Sequence, residues 1–288
     1  QRAQARAAQK QEVIELSALK TKTPTQFLGF EEKTTQAQVL ETLDQGDAQA
    51  VVLDRSVCYA EMGGQLGDQG VIHAQDQCFR ILDTRKVGQT FLHLVSKNND
   101  QGQPGALEAG EIRIEVDVDR RKAMERHHTV THLLHWALHQ IVGKDVSQKG
   151  SYVGPEKLTF DFNSQALSAD QLSDVERLVN ERILENAPVS WQEVPYESVK
   201  TREDVMQFFG DKYGETVRVV QIGGTPGLLD GYSMELCGGT HTRGTGEVGV
   251  FRMVNESAIA AGIRRIEAVA GWAAYDMGLA HQKNLESL

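Results

Sequence analysis

The sequence predicts an α+β protein in which a small N-terminal β-barrel-like module, residues 23–118, precedes an α+β core, residues 119–271, with a mixed, partly antiparallel sheet. Three observations carry this. From Thr25 to about Val118 short apolar runs are separated by turn residues, the pattern of an all-β module. At Asp119 the apolar spacing changes to a helical period. Beyond it, strand-like and helix-like stretches alternate.

Taken in order, QRAQARAAQKQEVIELSALK is rich in Ala, Gln and Arg and reads as a helix within residues 1–22 that once continued upstream, with Thr23-Pro24 ending it. QAVVLD, GVIHA, CFRILDTRKV and TFLHLVS read as strands, NNDQGQPGAL as a loop, and EIRIEVDVD as a strand of strict alternation. Asp119 to Gly143 reads as a helix, with apolar Leu133, Leu134, Ala137, Leu138, Ile141 and Val142 and a glycine as its stop. SYVGPEKLTFDFN supplies two strands. SADQLSDVERLVNERILENAP is an amphipathic helix capped by Ser168 and stopped by Pro188. VSWQEVPY and TVRVVQIG read as strands joined by a charged helical connection, and EVGVFRMVNESAIA and IRRIEAVAG as two more. The tail, residues 272–288, returns to helix and breaks off like the start of a linker.

The 288 residues suffice to bury a sizeable core without disulfides. No apolar run approaches the roughly 18 residues of a membrane span, so no membrane partner is expected. Three cysteines, an odd number with no CxxC pair, argue against a disulfide framework and for a reducing cytoplasm. Cys58 and Cys78 read as buried hydrophobes. A net charge of −10 excludes nucleic-acid binding by bulk electrostatics. Arg120, Arg121, Lys122, Arg126, Lys144 and Lys149 cluster around one histidine-rich stretch, and Arg252, Arg264 and Arg265 follow a second motif. That distribution suits a mixed solvated surface and an RNA-facing edge equally well.

The chemistry-bearing stretches are HHTVTH, His127 to His132, and CGGTH, Cys237 to His241. Residues i and i+4 share a helix face, so His128 and His132 can present two ring nitrogens to one ion. His135 and His139 have the same spacing, and the residues alone do not choose between the pairs. In the second motif two glycines allow a tight path that lets a thiolate and an imidazole converge. Three histidines and one cysteine suit zinc better than hard, oxygen-seeking cations. Thr129 stands where an HExxH metalloprotease carries its glutamate, which removes that reading's general base.

HTVTHLLHWAL, VSQKGSYV, FDF, MELCGGTHTRGTGEVGVFRMVNESAIAAGIRRIEAVAG and the upstream CYAEMGGQLGDQG together resemble the editing region of alanyl-tRNA synthetases, itself similar to free-standing trans-editing proteins. The likeness runs from about Gln26 to Gly271. It implies one zinc ion per chain held by His128, His132, Cys237 and His241, and so selects the first histidine pair. It also implies hydrolysis of the ester joining serine or glycine to the 3′ acceptor end of alanine tRNA, alanyl-tRNA being spared. The rest of the synthetase, with its ATP-dependent ligation, would be present in cis. The family's GGQ element falls on Gly63, Gly64 and Gln65, with Met62 and Cys58 standing where many members carry other residues. Ser147, Lys149 and Gly150 correspond to pocket or tRNA-lip positions, and Arg264 or Arg265 is a candidate for tRNA phosphate. With Cys237, Gln65 and Thr129 are the candidate catalytic residues, placed to read a serine hydroxyl. A trans-editing deacylase, a non-catalytic zinc-stabilised tRNA-binding module and another zinc hydrolase remain alternatives.

Overall fold

The computed structural model of the protein describes residues 20–99, 102, 105–208 and 213–286. The helix expected within residues 1–22 lies outside them except for its last three positions, which are irregular. The chain divides into two compact units, Gln1–Met62 with Leu66–Arg120, and Gly63–Gln65 with Arg121–Leu288. Mixed α+β architecture, with a closed barrel and two further antiparallel sheets, agrees with the predicted class.

The first unit contains β1 (Gln26–Phe27), β2 (Thr34–Gln45), β3 (Ala48–Leu53), β4 (Arg55–Ser56), β5 (Gly70–Ala74), β6 (Gln77–Val87), β7 (Thr90–Asn99) and β8 (Glu111–Val116). Six of these close a barrel in the order β2-β3-β7-β6-β5-β8, every pairing antiparallel. Val39, Val51, Leu53, Ile72, Phe79, Ile81, Val95 and Ile114 fill it by period-two alternation. Strand β2 had no counterpart in the sequence reading. Only Ala37 and Val39 of its twelve residues are buried apolar groups, so its alternation is faint. Cys58 is buried in this core, as expected, but Cys78 is not. Phe79 takes the inward position on β6, which turns its neighbour Cys78 outward beside its cross-strand partner His73, Sγ to Nδ1 3.0 Å.

The second unit is organised by α1 (Val118–Ile141), whose Val130, Leu133, Leu134, Ala137 and Leu138 are wholly buried. They share a core with Leu158, Phe160 and Phe162 of the sheet β14-β15-β10-β9. Its strands are β9 (Gln148–Val153), β10 (Leu158–Asn163), β14 (Phe251–Ala260) and β15 (Ile263–Ala270). Helix α2 (Ala169–Leu184) adds Val175, Val179 and Ile183, and its start carries a full capping box between Ser168 and Gln171. A second sheet orders β11 (Val189–Pro195), β12 (Thr216–Ile222) and β13 (Ser233–Leu236), and α3 (Trp272–Glu286) ends the described chain.

The charged helical connection expected between β11 and β12 is not found among the described residues, where a single 3-10 turn, Tyr196–Ser198, is its only helical element. Buried Val199 and Val205 stand six apart, out of step with a helix face, and join a small cluster with Val217, Val219, Met234 and Leu236. Met206 runs beside Glu235 as a parallel bridge, and Arg202 and Asp204 pair with each other instead of along a helix.

Candidate metal centre

His128 and His132 lie one turn apart on α1, ring centroids 5.3 Å apart. Cys237 follows β13 directly, and the turn after it brings back His241, whose ring lies 4.3 Å from that of His128 and 4.6 Å from that of His132. One donor atom from each of the four residues falls within 4.8 Å of all the others. Cys237 Sγ is 3.4 Å from Nε2 of both His128 and His241. The turn is held open for this by Arg218, whose Nη1 donates to the carbonyls of Cys237 (2.9 Å) and Gly239 (2.7 Å) while its guanidinium lies over Trp191. Gly239 is dictated by close approach. A Cβ there would stand 2.0 Å from Cε1 of His128.

The remaining nitrogens are held from outside. His128 Nδ1 donates to Gln65 Oε1 (2.7 Å), which also accepts Thr240 N–H (3.0 Å), while Gln65 Nε2 donates to Thr240 Oγ1 (2.9 Å). His241 Nδ1 lies 3.2 Å from Thr129 Oγ1, which accepts Thr242 N–H at 3.1 Å. Thr129 thus does not bond back along its helix. Thr131 does so instead, to the His127 carbonyl. His132 Nε2 is 3.4 Å from Glu235 Oε2, and its Nδ1 is buried with no hydrogen-bond partner. A fully buried polar atom without a protein partner, amid three other donors, fits a place in a cation's ligand set.

The electrostatics agree. Burial, helped by His132 and Arg218, holds His128 well below its ordinary range, and burial with the neighbouring imidazoles does the same to His241. Burial lowers His132 against the pull of Glu235. The imidazoles are therefore neutral, the form that binds metal. Burial pushes the Cys237 thiol up to about 11, against the opposing charge of Arg218. A metal would displace its proton. Burial would raise Glu235, but His132 and His135 outweigh it and hold the carboxyl below its usual range. The residues present fit one metal ion of borderline softness.

The second HxxxH pair does not join them. His135 Nδ1 donates to Glu235 Oε1 (3.0 Å), and His139 Nε2 to the Val146 carbonyl (2.7 Å). His127 spends both nitrogens on the fold, at the Gly154 carbonyl and Ala270 N–H. Gly63 and Gly64 take the left-handed backbone, φ 62° and 88°, and a Cβ on Gly64 would stand 2.5 Å from the Ser151 carbonyl oxygen. Gly64 O accepts Val153 N–H at 2.8 Å, which ties GGQ to β9. Just before that edge strand Ser147 bonds Asn163, and on it Gly150 pairs with Asp161 while exposed Lys149 falls in a bulge between Gln148 and Gly150. Both arginines of β15 are engaged, Arg264 in a two-pronged pair with Glu256 and Arg265 with Asp161 at 2.6 and 2.7 Å. The basic cluster near the histidines is dispersed too. Arg121 is wholly buried, Arg126 donates to the Glu247 carbonyl, and Lys122, Lys144 and Lys149 are exposed.

Sequence reasoning missed Glu235, Arg218, Thr240 and Thr242. Glu235 had a signal: it is the one charged residue of SMEL, immediately before a candidate ligand stretch, and a buried carboxylate needs a partner.

Comparison with known families fits this geometry. Residues 217–267, which include Cys237 and His241, match the Threonyl and Alanyl tRNA synthetase second additional domain, and residues 1–120 match the class II (A) tRNA synthetases. These two segments are thus similar to parts of class II tRNA synthetases. Alanine–tRNA ligases match it along its whole length. That of Akkermansia muciniphila is 45% identical over 290 residues, 99% of this chain and 30% of the ligase. That of Opitutus terrae is 42% identical over 303 residues, 100% of this chain and 30% of the ligase. That of Methylacidiphilum infernorum is 45% identical over 253 residues, 87% and 26% of the two chains. The chain is homologous to a segment of alanine–tRNA ligases and spans about 30% of the length of those relatives.

Proposed function

We propose that this chain is the editing part of an alanyl-tRNA synthetase, hydrolysing the ester of seryl- and glycyl-tRNA(Ala) and sparing alanyl-tRNA(Ala). The observation that carries the reading is the convergence of His128, His132, Cys237 and His241 within 4.8 Å, in a chain homologous to alanine–tRNA ligases. Residues 23–118 are the barrel-like subdomain, residues 119–271 the zinc-containing editing core, and residues 1–22 and 272–288 its links to the rest of the synthetase. The setting is the cytoplasm. Among the described residues no helix is long and apolar enough to cross a membrane.

The need for such a site is energetic. An alanine pocket rejects glycine by only about 1–3 kcal/mol, the worth of one methyl group, and a larger pocket rejects an added hydroxyl weakly. A second site that hydrogen-bonds the serine hydroxyl spares alanine, because an alanyl ester leaves those groups unpaired at about 1–3 kcal/mol. Gln65, bonded to Thr240 and to His128 beside the centre, is the candidate reader of the substrate hydroxyl. Thr129 contributes by holding His241 in place. Zinc, when bound, would supply Lewis acidity beside the ester. The donors would be the three imidazoles and the Cys237 thiolate. Gly63, Gly64, Ser147, Gly150 and Lys149 form the substrate edge, Lys149 as its exposed cation. Arg264 or Arg265 would reach a tRNA phosphate only by opening its pair with Glu256 or Asp161.

One observation favours a second reading. Gln65 and Thr129 are both buried and both engaged in supporting ligand imidazoles, as in a zinc-stabilised tRNA-binding module without turnover. Deacylation decides between the two. The purified, zinc-loaded chain is expected to hydrolyse seryl-tRNA(Ala) at least about tenfold faster than alanyl-tRNA(Ala), the discrimination that one unpaired hydrogen bond provides, and to cleave glycyl-tRNA(Ala), which has no hydroxyl, above its spontaneous rate. Chelation and Cys237→Ala should each remove that activity. Rates equal to spontaneous hydrolysis for all three esters would leave only the binding module.

A further inference from the structure

We propose that Glu235 is the positioning carboxylate of this centre and that it makes His132 the odd ligand, bound to the metal through Nδ1 while His128 and His241 bind through Nε2. The inference rests on the metal reading above and adds the orientation of each imidazole to it.

Each of the three histidines has one nitrogen facing a protein oxygen and one left over. For His128 the held nitrogen is Nδ1, on Gln65 Oε1 at 2.7 Å, and Nε2 faces Cys237 Sγ. For His241 it is again Nδ1, at Thr129 Oγ1, and Nε2 faces the same sulfur. In His132 the order is reversed. Nε2 stands 3.4 Å from Glu235 Oε2, and Nδ1 is the buried atom without a partner. A lone pair pointed at a carboxylate is repelled, so the ring proton sits on Nε2 and the lone pair on Nδ1. Outer partners of a metal-bound histidine fix its tautomer and ring angle in this way.

Glu235 is built for the task. It is 3% exposed, lies opposite Val220 in the β12–β13 ladder, and is flanked on its other side by Met206. Its second oxygen accepts His135 Nδ1–H at 3.0 Å, and the His135 ring is wedged among Phe160, Phe208 and His139. Both carboxylate oxygens are thereby committed to imidazoles, so the side chain has no freedom to swing. The second HxxxH pair acquires a role here: His135 braces the carboxylate that orients His132.

The test uses zinc alone, with no tRNA. In the zinc-loaded, 15N-labelled chain, long-range proton–nitrogen correlation reports which ring nitrogen of each histidine carries hydrogen. The expected result is hydrogen on Nε2 of His132 and on Nδ1 of His128 and His241. Glu235→Gln should weaken zinc binding about 10–100-fold in chelator competition. Melting of its metal-free form should stay near that of the parent, and Glu235→Asp, a carboxylate one carbon shorter, should recover part of the affinity. Hydrogen on Nδ1 of His132, or zinc affinity of Glu235→Gln within twofold of the parent, overturns the proposal. If Glu235→Gln does not fold, the nitrogen assignment in the parent chain still decides. A parent chain that binds no zinc sinks the metal reading itself, whereas zinc bound through Nε2 of His132 sinks this inference alone.

Discussion

His93 in the barrel and His128 in the second unit are both withdrawn from water, yet the fold treats them differently. Around His93 both nitrogens are answered, Nδ1 by the Val51 carbonyl at 3.1 Å and Nε2 by the Ser56 hydroxyl at 2.7 Å. Around His128 one nitrogen is answered and the other is turned toward a thiol and two more imidazoles. Cysteine repeats the contrast: Cys58 packs among apolar side chains of the barrel, whereas Cys237 lies against two ring nitrogens. Burial of a polar residue therefore does not mark a site. What marks it is a residual valence that several buried groups direct at one point.

The largest expected effect breaks the contrast at its root. Cys237→Ala or His241→Ala removes one of the four candidate ligands and should lower zinc affinity by more than about 100-fold, beyond the loss expected for an outer partner. Zinc should then no longer raise the melting temperature. His93→Gln in the barrel should leave zinc affinity unchanged while reducing stability by about 1–3 kcal/mol, since it disturbs satisfied buried hydrogen bonds. Isothermal titration with zinc and thermal melts of the three variants check both halves.

A pH titration sharpens it. Burial lowers His93 to about 4, against the opposing hydrogen bond to Val51. The folded barrel refuses a proton that the unfolded chain accepts below about pH 6.5. Stability from this group is thus full above pH 6.5 and is lost as pH falls toward 4, by about 3 kcal/mol in all. His93→Gln should flatten that acid limb. At the other end the Cys237 thiol, raised to about 11, makes the metal-free second unit lose stability as pH climbs from about 9, where the unfolded thiol ionises, toward 11. Zinc loading should abolish the alkaline loss and leave the barrel's acid loss intact. Denaturant melts across pH, with and without zinc, measure both.

The same contrast explains what could be read from the sequence. Strands such as Glu111–Val116, whose alternation is strict, announce themselves, and so does α2 with its Ser168 cap. β2 does not, because a closed barrel needs it to bury only Ala37 and Val39. The segment after β11 looked helical because its charges are dense, but its buried valines answer to a small cluster formed by β12 and β13, residues distant in sequence. At the site, spacing exposed both HxxxH pairs and could not rank them, and a family resemblance had to do so. Arg218 and the threonines beside His241 escaped altogether, and Glu235 left only the lone charge of SMEL as a signal. Their importance lies in which atom faces which, and no one-dimensional pattern carries that.

Two glycines provide a matched pair of smaller perturbations. A Cβ on Gly67 in the barrel would stand 2.0 Å from the Thr84 carbonyl oxygen, and one on Gly239 would stand 2.0 Å from Cε1 of His128. Overpacking of this kind costs about 1–3 kcal/mol. Gly67→Ala and Gly239→Ala should therefore destabilise their units by similar amounts. Only Gly239→Ala pushes a ligand ring, so only it should weaken zinc binding, and chelator competition on the two variants separates the cases. Equal zinc affinities would mean that the turn yields and His128 does not.

The smallest effect concerns charge. Arg265 holds Asp161 through two hydrogen bonds with its side chain 43% exposed, much as Arg85 in the barrel holds Asp83 at 2.8 Å with 35% exposure. Exposed pairs of this sort are worth about 0–1 kcal/mol. Arg265→Ala and Arg85→Ala should each shift stability within that range. An arginine already neutralised by its own carboxylate has little charge to offer a phosphate, whereas Lys149 is exposed on the β9 bulge. If the chain binds tRNA as proposed, Lys149→Ala should therefore reduce the salt dependence of that binding by about one unit of slope, and Arg265→Ala should not. If Arg265→Ala lowers the slope while Arg85→Ala does not, the Asp161 pair opens on binding and the arginine reaches tRNA itself.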